Sequence, residues 1–243
     1  QRAPRYIYQN NNRIAEYTVD QVALDVMAGI NVGLWGPVSV GWAERYRSAE
    51  LQTGSPTLPV GSQRFGGFLA KLDFDQFDRL YDPTRGWSAY GSYFYAAGGG
   101  YDKAELDLRA AESFGDYILH GRVRGAGSFT GTLPFYDAVA LGGFLNLSGF
   151  ARAQIIGESL AYGSVRGEKI VGKLPLGLRG DMRVGVALEA GKVNGRYTET
   201  NLDGWQNSVT AYVGGETPLG MVYFGYGYSS NGPGNYYLFI GTP

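Results

Sequence analysis

Residues 22–34 read VALDVMAGINVGL. Val22, Leu24, Val26, Ala28, Ile30, Val32 and Leu34 fall on one face of an extended chain, and Ala23, Asp25, Met27, Gly29, Asn31 and Gly33 on the other. Successive side chains of a strand point to opposite faces, so this period of two spells a β-strand. It persists over 13 residues, whereas a soluble strand usually runs about 5–6. A strand that crosses a bilayer needs about 9–11 residues, so the length favours a membrane.

The same pattern recurs downstream. Ala104, Leu106, Leu108 and Ala110 oppose Glu105, Asp107 and Arg109; Tyr117, Leu119 and Val123 oppose His120, Arg122 and Arg124. Met182, Val184, Val186, Leu188 and Ala190 oppose Arg183 and Glu189. Charges are expected to keep to one face throughout. An Arg facing lipid near the midplane costs about 2–4 kcal/mol, and little in a wet lumen. The alternation therefore assigns a lipid face and a lumen lined by Asp25, Glu105, Asp107, Arg109, His120, Arg122, Arg124 and Arg183.

Twelve strands are expected, at about 4–9, 18–33, 36–48, 62–74, 86–97, 101–112, 115–127, 157–173, 179–192, 206–217, 219–229 and 235–241. Short turns at Gly33–Gly36, Phe114–Asp116, Pro175–Leu178 and Thr217–Gly220 alternate imperfectly with longer polar loops at 49–61, 128–156 and 193–205. An even strand count, with short turns on one side and long loops on the other, is the plan of a single-chain bacterial outer-membrane barrel. The fold class expected is an all-β antiparallel transmembrane β-barrel forming one domain over residues 1–243.

Composition agrees. The 243 residues include 39 Gly, 19 Tyr, 12 Phe and 4 Trp, with 18% charged residues and a net charge of −1. Glycine is more than twice its usual share of about 7%, and charge lies below the usual 25% or so. No basic excess exists to capture nucleic acid. The absence of cysteine excludes disulfides, thiolate metal sites and a thiol nucleophile. The aromatic clusters Tyr90–Tyr95, Tyr223–Tyr228 and Tyr236–Phe239 suit interfacial girdles, with a carbohydrate-stacking surface as the alternative. The chain begins at Gln1 without a visible leader, as expected of a processed chain or a piece of a longer one.

Catalytic signatures are missing. Gly157-Glu158-Ser159 and Gly163-Ser164-Val165 lack the closing Gly of a nucleophile elbow. No phosphate-binding loop is present. His120 is the sole imidazole; it reads as a lumen residue beside Arg122 and Arg124, or alternatively as the base of a barrel-wall hydrolase. No catalytic residue, metal site or cofactor is expected. The mixed lumen charges read as cross-strand braces, with ion binding as the alternative.

Two motifs resemble a known family. Asp82-Pro83-Thr84-Arg85-Gly86-Trp87 is similar to the PTRG turn of the bacterial surface antigen family, the barrels related to BamA and to two-partner secretion pores. Leu141 to Phe150 (LGGFLNLSGF) resembles their in-folding sixth extracellular loop, whose tip usually reads Arg-Gly-Phe or Arg-Gly-Tyr. The resemblance implies a loop-tip motif at Leu147, Ser148, Gly149 and Phe150, facing an acidic residue, Glu189, on a strand. Ser148 stands where the family has its Arg, so no charge pair forms and only a neutral hydrogen bond remains. The wording of the loop is most similar to the barrels of patatin-like type V secretion proteins. Those carry a patatin lipase, a POTRA module and sixteen strands, eleven of them before the loop. Seven precede it here, which implies either the C-terminal twelve strands of such a barrel or a twelve-strand member.

The resemblance implies a translocator or anchor in the outer membrane of a Gram-negative bacterium. Any lipase would lie on a passenger outside this chain, and the loop at 128–156 would partly plug the lumen. Implied partners are membrane lipid, the barrel assembly machinery, and passenger and POTRA segments of the same protein. The alternatives are a passive pore for small solutes, a barrel-wall lipid hydrolase and a soluble ligand-binding barrel.

Overall fold

The computed structural model describes residues 2–55, 58, 60–173, 180–217 and 220–241. Twelve antiparallel strands form one sheet, each paired with its neighbour in sequence. They are β1 (Arg2–Gln9), β2 (Asn12–Val32), β3 (Gly36–Gly54), β4 (Gly61–Asp75), β5 (Gly86–Ala96), β6 (Asp102–Phe114) and β7 (Tyr117–Gly127). After a long connection come β10 (Ser159–Lys173), β11 (Asp181–Asn194), β12 (Gln206–Thr217), β13 (Gly220–Tyr228) and β14 (Asn235–Ile240). The connection holds a 3-10 turn (Phe135–Asp137) and a two-stranded ribbon of β8 (Val139–Leu141) and β9 (Ile155–Gly157). Three-residue strands carry too little alternation to be read from sequence.

The expected strands are all present, with two displaced boundaries. β2 starts six residues before its expected position and β3 ends six residues after it. Of the long polar loop expected at 49–61, residues 49–54 and 61 are strand. The cause is tertiary: Ala15, Tyr17, Val19 and Ala49 pack their inner face on Phe135, Ala138 and Ile156 of the long connection. That contact supports a hairpin whose polar outer residues alone suggest a loop. The expected turn Pro175–Leu178 and residues 218–219 lie outside the described residues.

The two faces follow the pleat. Val26, Ile30, Leu106, Val123, Val165, Val186, Leu188 and Phe224 are exposed on the outside. The buried groups on the inner side are largely polar or aromatic, including His120, Glu168, Arg183, Glu189, Tyr162, Tyr212 and Tyr223. Charges do not keep wholly to the inner face. Glu44 and Arg64 pair at 3.7 Å and Arg85 and Glu112 at 3.2 Å on the outer side. Glu44 lies opposite Leu24 and Glu112 opposite Leu119 in the ladder, so these outward charges stand beside apolar positions and are each offset by a partner of opposite sign. The aromatic clusters likewise divide by parity. Tyr226, Tyr228 and Tyr236 are exposed, while Tyr223 is buried. At the short-turn end, Trp35 packs edge-on against Phe74 and Trp87 at 5.9 and 6.0 Å.

The sheet curls around its own long connection. Residues 133–157 are almost continuously buried. They meet the first strand, where Arg5 Nη1 donates to Phe135 O at 2.7 Å. They also meet the last, where the Tyr237 hydroxyl donates to Ser148 O at 2.8 Å. At the long-loop end, Asn11 Nδ2 donates to Asn231 O at 3.0 Å, joining the β1–β2 turn to the β13–β14 turn. A segment touched from inside by both terminal strands is surrounded by the wall.

Candidate functional site: two latches in the lumen

The in-folded connection narrows to a tip at residues 142–150. The Glu189 carboxylate on β11 accepts from four donors, two main-chain amides of this tip and two hydroxyls of the neighbouring wall strands. Oε1 accepts from Leu147 N and from the Tyr162 hydroxyl, each at 2.8 Å. Oε2 accepts from Ser148 N at 3.0 Å and Thr210 Oγ1 at 2.8 Å. Hydrogen bonds to a charged group are each roughly twice as strong as neutral ones. They keep tip residues in backbone conformations that non-glycine residues seldom adopt: Leu145 has φ +51° and Leu147 φ +76°.

This changes the role expected of Ser148. Its side chain does not reach Glu189; Ser148 Oγ accepts from Leu145 N at 2.8 Å and braces the tip's own turn. The contact with Glu189 runs through main-chain N–H groups, which any residue supplies, and it is charge-assisted. Gly149 donates to Ser208 Oγ at 3.0 Å. A Cβ on it would lie 2.3 Å from that of Ser229 and 2.6 Å from the Ser229 nitrogen, so only glycine fits. Phe150 is fully buried, and its carbonyl accepts from Gly143 N at 3.0 Å. Phe144 completes the tip, packing against Tyr212, Tyr223, Tyr237 and Phe239 at 5.4–5.6 Å.

Because the Ser148 side chain bonds within the tip, Ser148→Ala is expected to lose about 1 kcal/mol. The denaturant midpoint is expected to fall slightly, with Leu147 amide protection retained. A loss as large as that of Glu189→Ala would contradict the assignment.

A second latch forms from the other end. The segment between β4 and β5 enters the lumen at the short-turn end. Its start docks on the β2–β3 turn, with Gln76 Nε2 donating to Leu34 O at 2.7 Å. Asp78 closes the PTRG turn, its carboxylate accepting from Thr84 N at 2.8 Å, Thr84 Oγ1 at 2.5 Å and Arg85 N at 3.0 Å. Gly86 has φ +113°, and a Cβ there would lie 2.2 Å from Gln76 O. Pro83 follows Asp82, whose φ is +49°.

Burial pushes the Asp78 carboxyl up, but hydrogen bonds from Thr84 and Arg85 outweigh it and hold the group below the usual carboxylate range. A lowered pKa stabilises above the unfolded value and is lost as pH falls through the folded one. The amides of Thr84 and Arg85 are therefore expected to lose hydrogen-exchange protection on acidification through that range, and to lose it at neutral pH in Asp78→Ala. Protection unchanged in both would refute the cap.

Asp82 itself is buried. Arg183 Nη1 lies 2.5 Å from its Oδ2, and Arg166 Nη2 3.8 Å from its Oδ1. Arg183 also donates to Glu168 Oε2 at 3.3 Å. Tyr212 donates to Glu168 Oε1 at 2.6 Å. His120 Nε2 lies 3.3 Å from Glu168 Oε2, and its Nδ1 lies 3.1 Å from Arg166 Nη2. Asp82, His120 and Glu168 bring three ligand-type atoms within 4.8 Å of one another. The set does not suit a cation, because two guanidiniums already offset the two carboxylates and would repel it. Nor does His120 suit hydrolysis, since both ring nitrogens face Glu168 and Arg166 rather than a serine.

The remaining expected lumen residues form ion pairs, across strands for Asp25 and for Asp107 with Arg122 and Arg124, and within β6 for Glu105 and Arg109. Asp25 pairs with Arg45 and, at 3.0 Å, with Lys71. Glu105 pairs with Lys103 at 2.7 Å. Asp107 gathers Arg122 at 2.6 Å, Arg109 at 3.2 Å and Arg124 at 3.9 Å. Arg124 also reaches the tip, donating to Asn146 Oδ1 at 2.6 Å.

No family model and no curated protein matches the sequence. Among solved structures, the chain is similar to BamA from Haemophilus ducreyi lacking POTRA domains 1–3, with a TM-score of 0.75 at 12% identity. The fold is that of a BamA-like barrel. The match covers 99% of this chain and 57% of that one, so the chain spans little more than half the length of its structural neighbour.

Within this BamA-like barrel the sequence located one latch and missed the other. Glu189, Arg183, His120 and the PTRG turn were legible singly. Asp82, Arg166 and Glu168 were not assembled, although Arg166 and Glu168 obey the same lumen parity as Ser164 and Tyr162. Alternation shows which way a side chain points, but not that a turn will fold back to meet it.

Proposed function

We propose that this chain is the membrane-spanning barrel of an outer-membrane translocator or anchor, held in a plugged state. The observation that carries the reading is the tip at Leu147–Phe150, drawn deep into the lumen and held on Glu189 by main-chain N–H groups. A passive pore for small solutes does not call for a lumen filled by its own chain. The lipid-facing band, whose Leu188 is 60% exposed beside Glu189 at 3%, supports placement in an outer membrane. Barrels in such membranes are closed because lipid leaves no partner for open edges. Lipid and the assembly machinery that inserts such barrels are the partners proposed. A patatin-like passenger and a POTRA segment rest on the sequence motifs alone, and any lipase chemistry would reside on that passenger.

The reading is tested by conductance in planar bilayers. Deleting residues 133–153 is expected to raise it above that of the intact chain, by itself or together with freeing of the short-turn end. An unchanged conductance, also when the short-turn end is freed, would sink the proposal.

A further inference from the structure

The segment at 76–85 joins β4 to β5, yet its Asp82 is gripped by β10 and β11. In the sheet, β6, β7 and β10 lie between β5 and β11. The opposite route has no continuous ladder, because β1 and β14 are the two ends of the sheet order. A residue on the β4–β5 turn meets Arg183 only if the turn crosses the bore. From this crossing we propose that residues 76–85 form a strap, a second gate that closes the lumen from the short-turn end independently of the plug. The inference rests on the conduit reading above.

Three observations support it. The strap is braced on both sides of its crossing. Gln76 and Asp75 hold it to the β2–β3 turn, where Asp75 N donates to Trp35 O at 3.1 Å, and Asp82 holds its far end between two arginines. The latch is charge-specific: the strap brings one carboxylate to a site where Arg183 is 5% and Arg166 13% exposed. Without Asp82 those two cations would face Glu168 alone. Finally, strap and plug bound one chamber. A cavity of about 210 Å³ is lined by Phe77, Leu80 and Asp82 from the strap, by Leu145 from the plug, and by Arg109 and Arg122 from the wall.

The two latches are spaced along the same strands. Arg183 and Glu189 are six residues apart on β11, on the order of 20 Å at about 3.3 Å per residue. That is a large part of a hydrocarbon core about 30 Å thick. Each latch therefore lies nearer its own end, and releasing the strap's ion pairs leaves the hydrogen bonds on Glu189 in place.

The test compares four full chains in planar bilayers: native, plug-deleted (133–153), Asp82→Lys, and both together. Lys at 82 meets two guanidiniums and is expelled with the strap. Heat-shifted mobility on gels reports folding of each chain. A second pair, with 77–84 replaced by an Asn-Gly turn, removes the strap rather than its latch. The expected result is that Asp82→Lys alone stays within twofold of native, because the plug still seals. Plug deletion alone gives a limited rise, and the combined change raises conductance at least threefold further. If plug deletion alone gives the full conductance and neither strap change adds to it, the strap is no gate, while the conduit reading stands. If no chain conducts above native, both fall.

Discussion

Replacing Glu189 by Ala is expected to release the loop tip and raise conductance towards that of the plug-deleted chain. The carboxylate is the acceptor for two buried main-chain N–H groups and two hydroxyls. Each buried polar group left without a partner costs about 1–3 kcal/mol. The Leu147 and Ser148 amides lose their acceptor, and nothing then offsets the strain of the positive φ at Leu145 and Leu147. The tip is therefore expected to leave the pocket rather than remain with orphaned donors. Amide exchange at Leu147 and Ser148 is expected to accelerate by orders of magnitude, and conductance to rise with it. Glu189→Gln should fall between, since its amide keeps one acceptor oxygen and turns a donor towards donors. Native-like protection at both amides in Glu189→Ala would show that the tip is held by packing alone.

The second large effect lies one residue away. Leu188→Arg is expected to destabilise the chain in lipid by about 2–4 kcal/mol, or to prevent insertion. Leu188 faces outward and is exposed to the surroundings, whereas Glu189 faces the lumen. Folding yield into vesicles and the denaturant midpoint in lipid measure the loss. The chain has no cysteine, so spin labels on single introduced cysteines give a clean companion reading. Labels at Val26 and Leu188 are expected to report an oily surrounding, and one at Asp25 an aqueous one. An aqueous signal at Val26 and Leu188, with the Arg variant as stable as the native chain, would overturn the membrane assignment.

These two neighbours divide what sequence and structure each supplied. That Leu188 and Glu189 contact different solvents follows from local covalent geometry. A pleated strand alternates its side chains, so periodicity identified the strands, their faces and the lumen residues from Asp25 to Arg183. The resemblance of LGGFLNLSGF to an in-folding loop pointed to Leu147–Phe150 and to Glu189 as facing partners. Other features depend on residues far apart in the chain. Phe135 supports the extension of β2 and β3, although neither strand's own pattern contains that information. Ser148 was read by its side chain, but the contact belongs to its main chain, which the identity of the residue does not reveal.

Sequence by itself determined the twelve long strands and their two faces, because the pleat sets both from the local pattern of side chains. Only the tertiary structure decided that Asp82, entering from a turn, meets Arg166 and Arg183 across the bore, and that the tip rests on Glu189 through backbone N–H groups. Closing the sheet brings opposite walls within reach of the segments inside it. Burial then lets a carboxylate choose donors that no local pattern specifies.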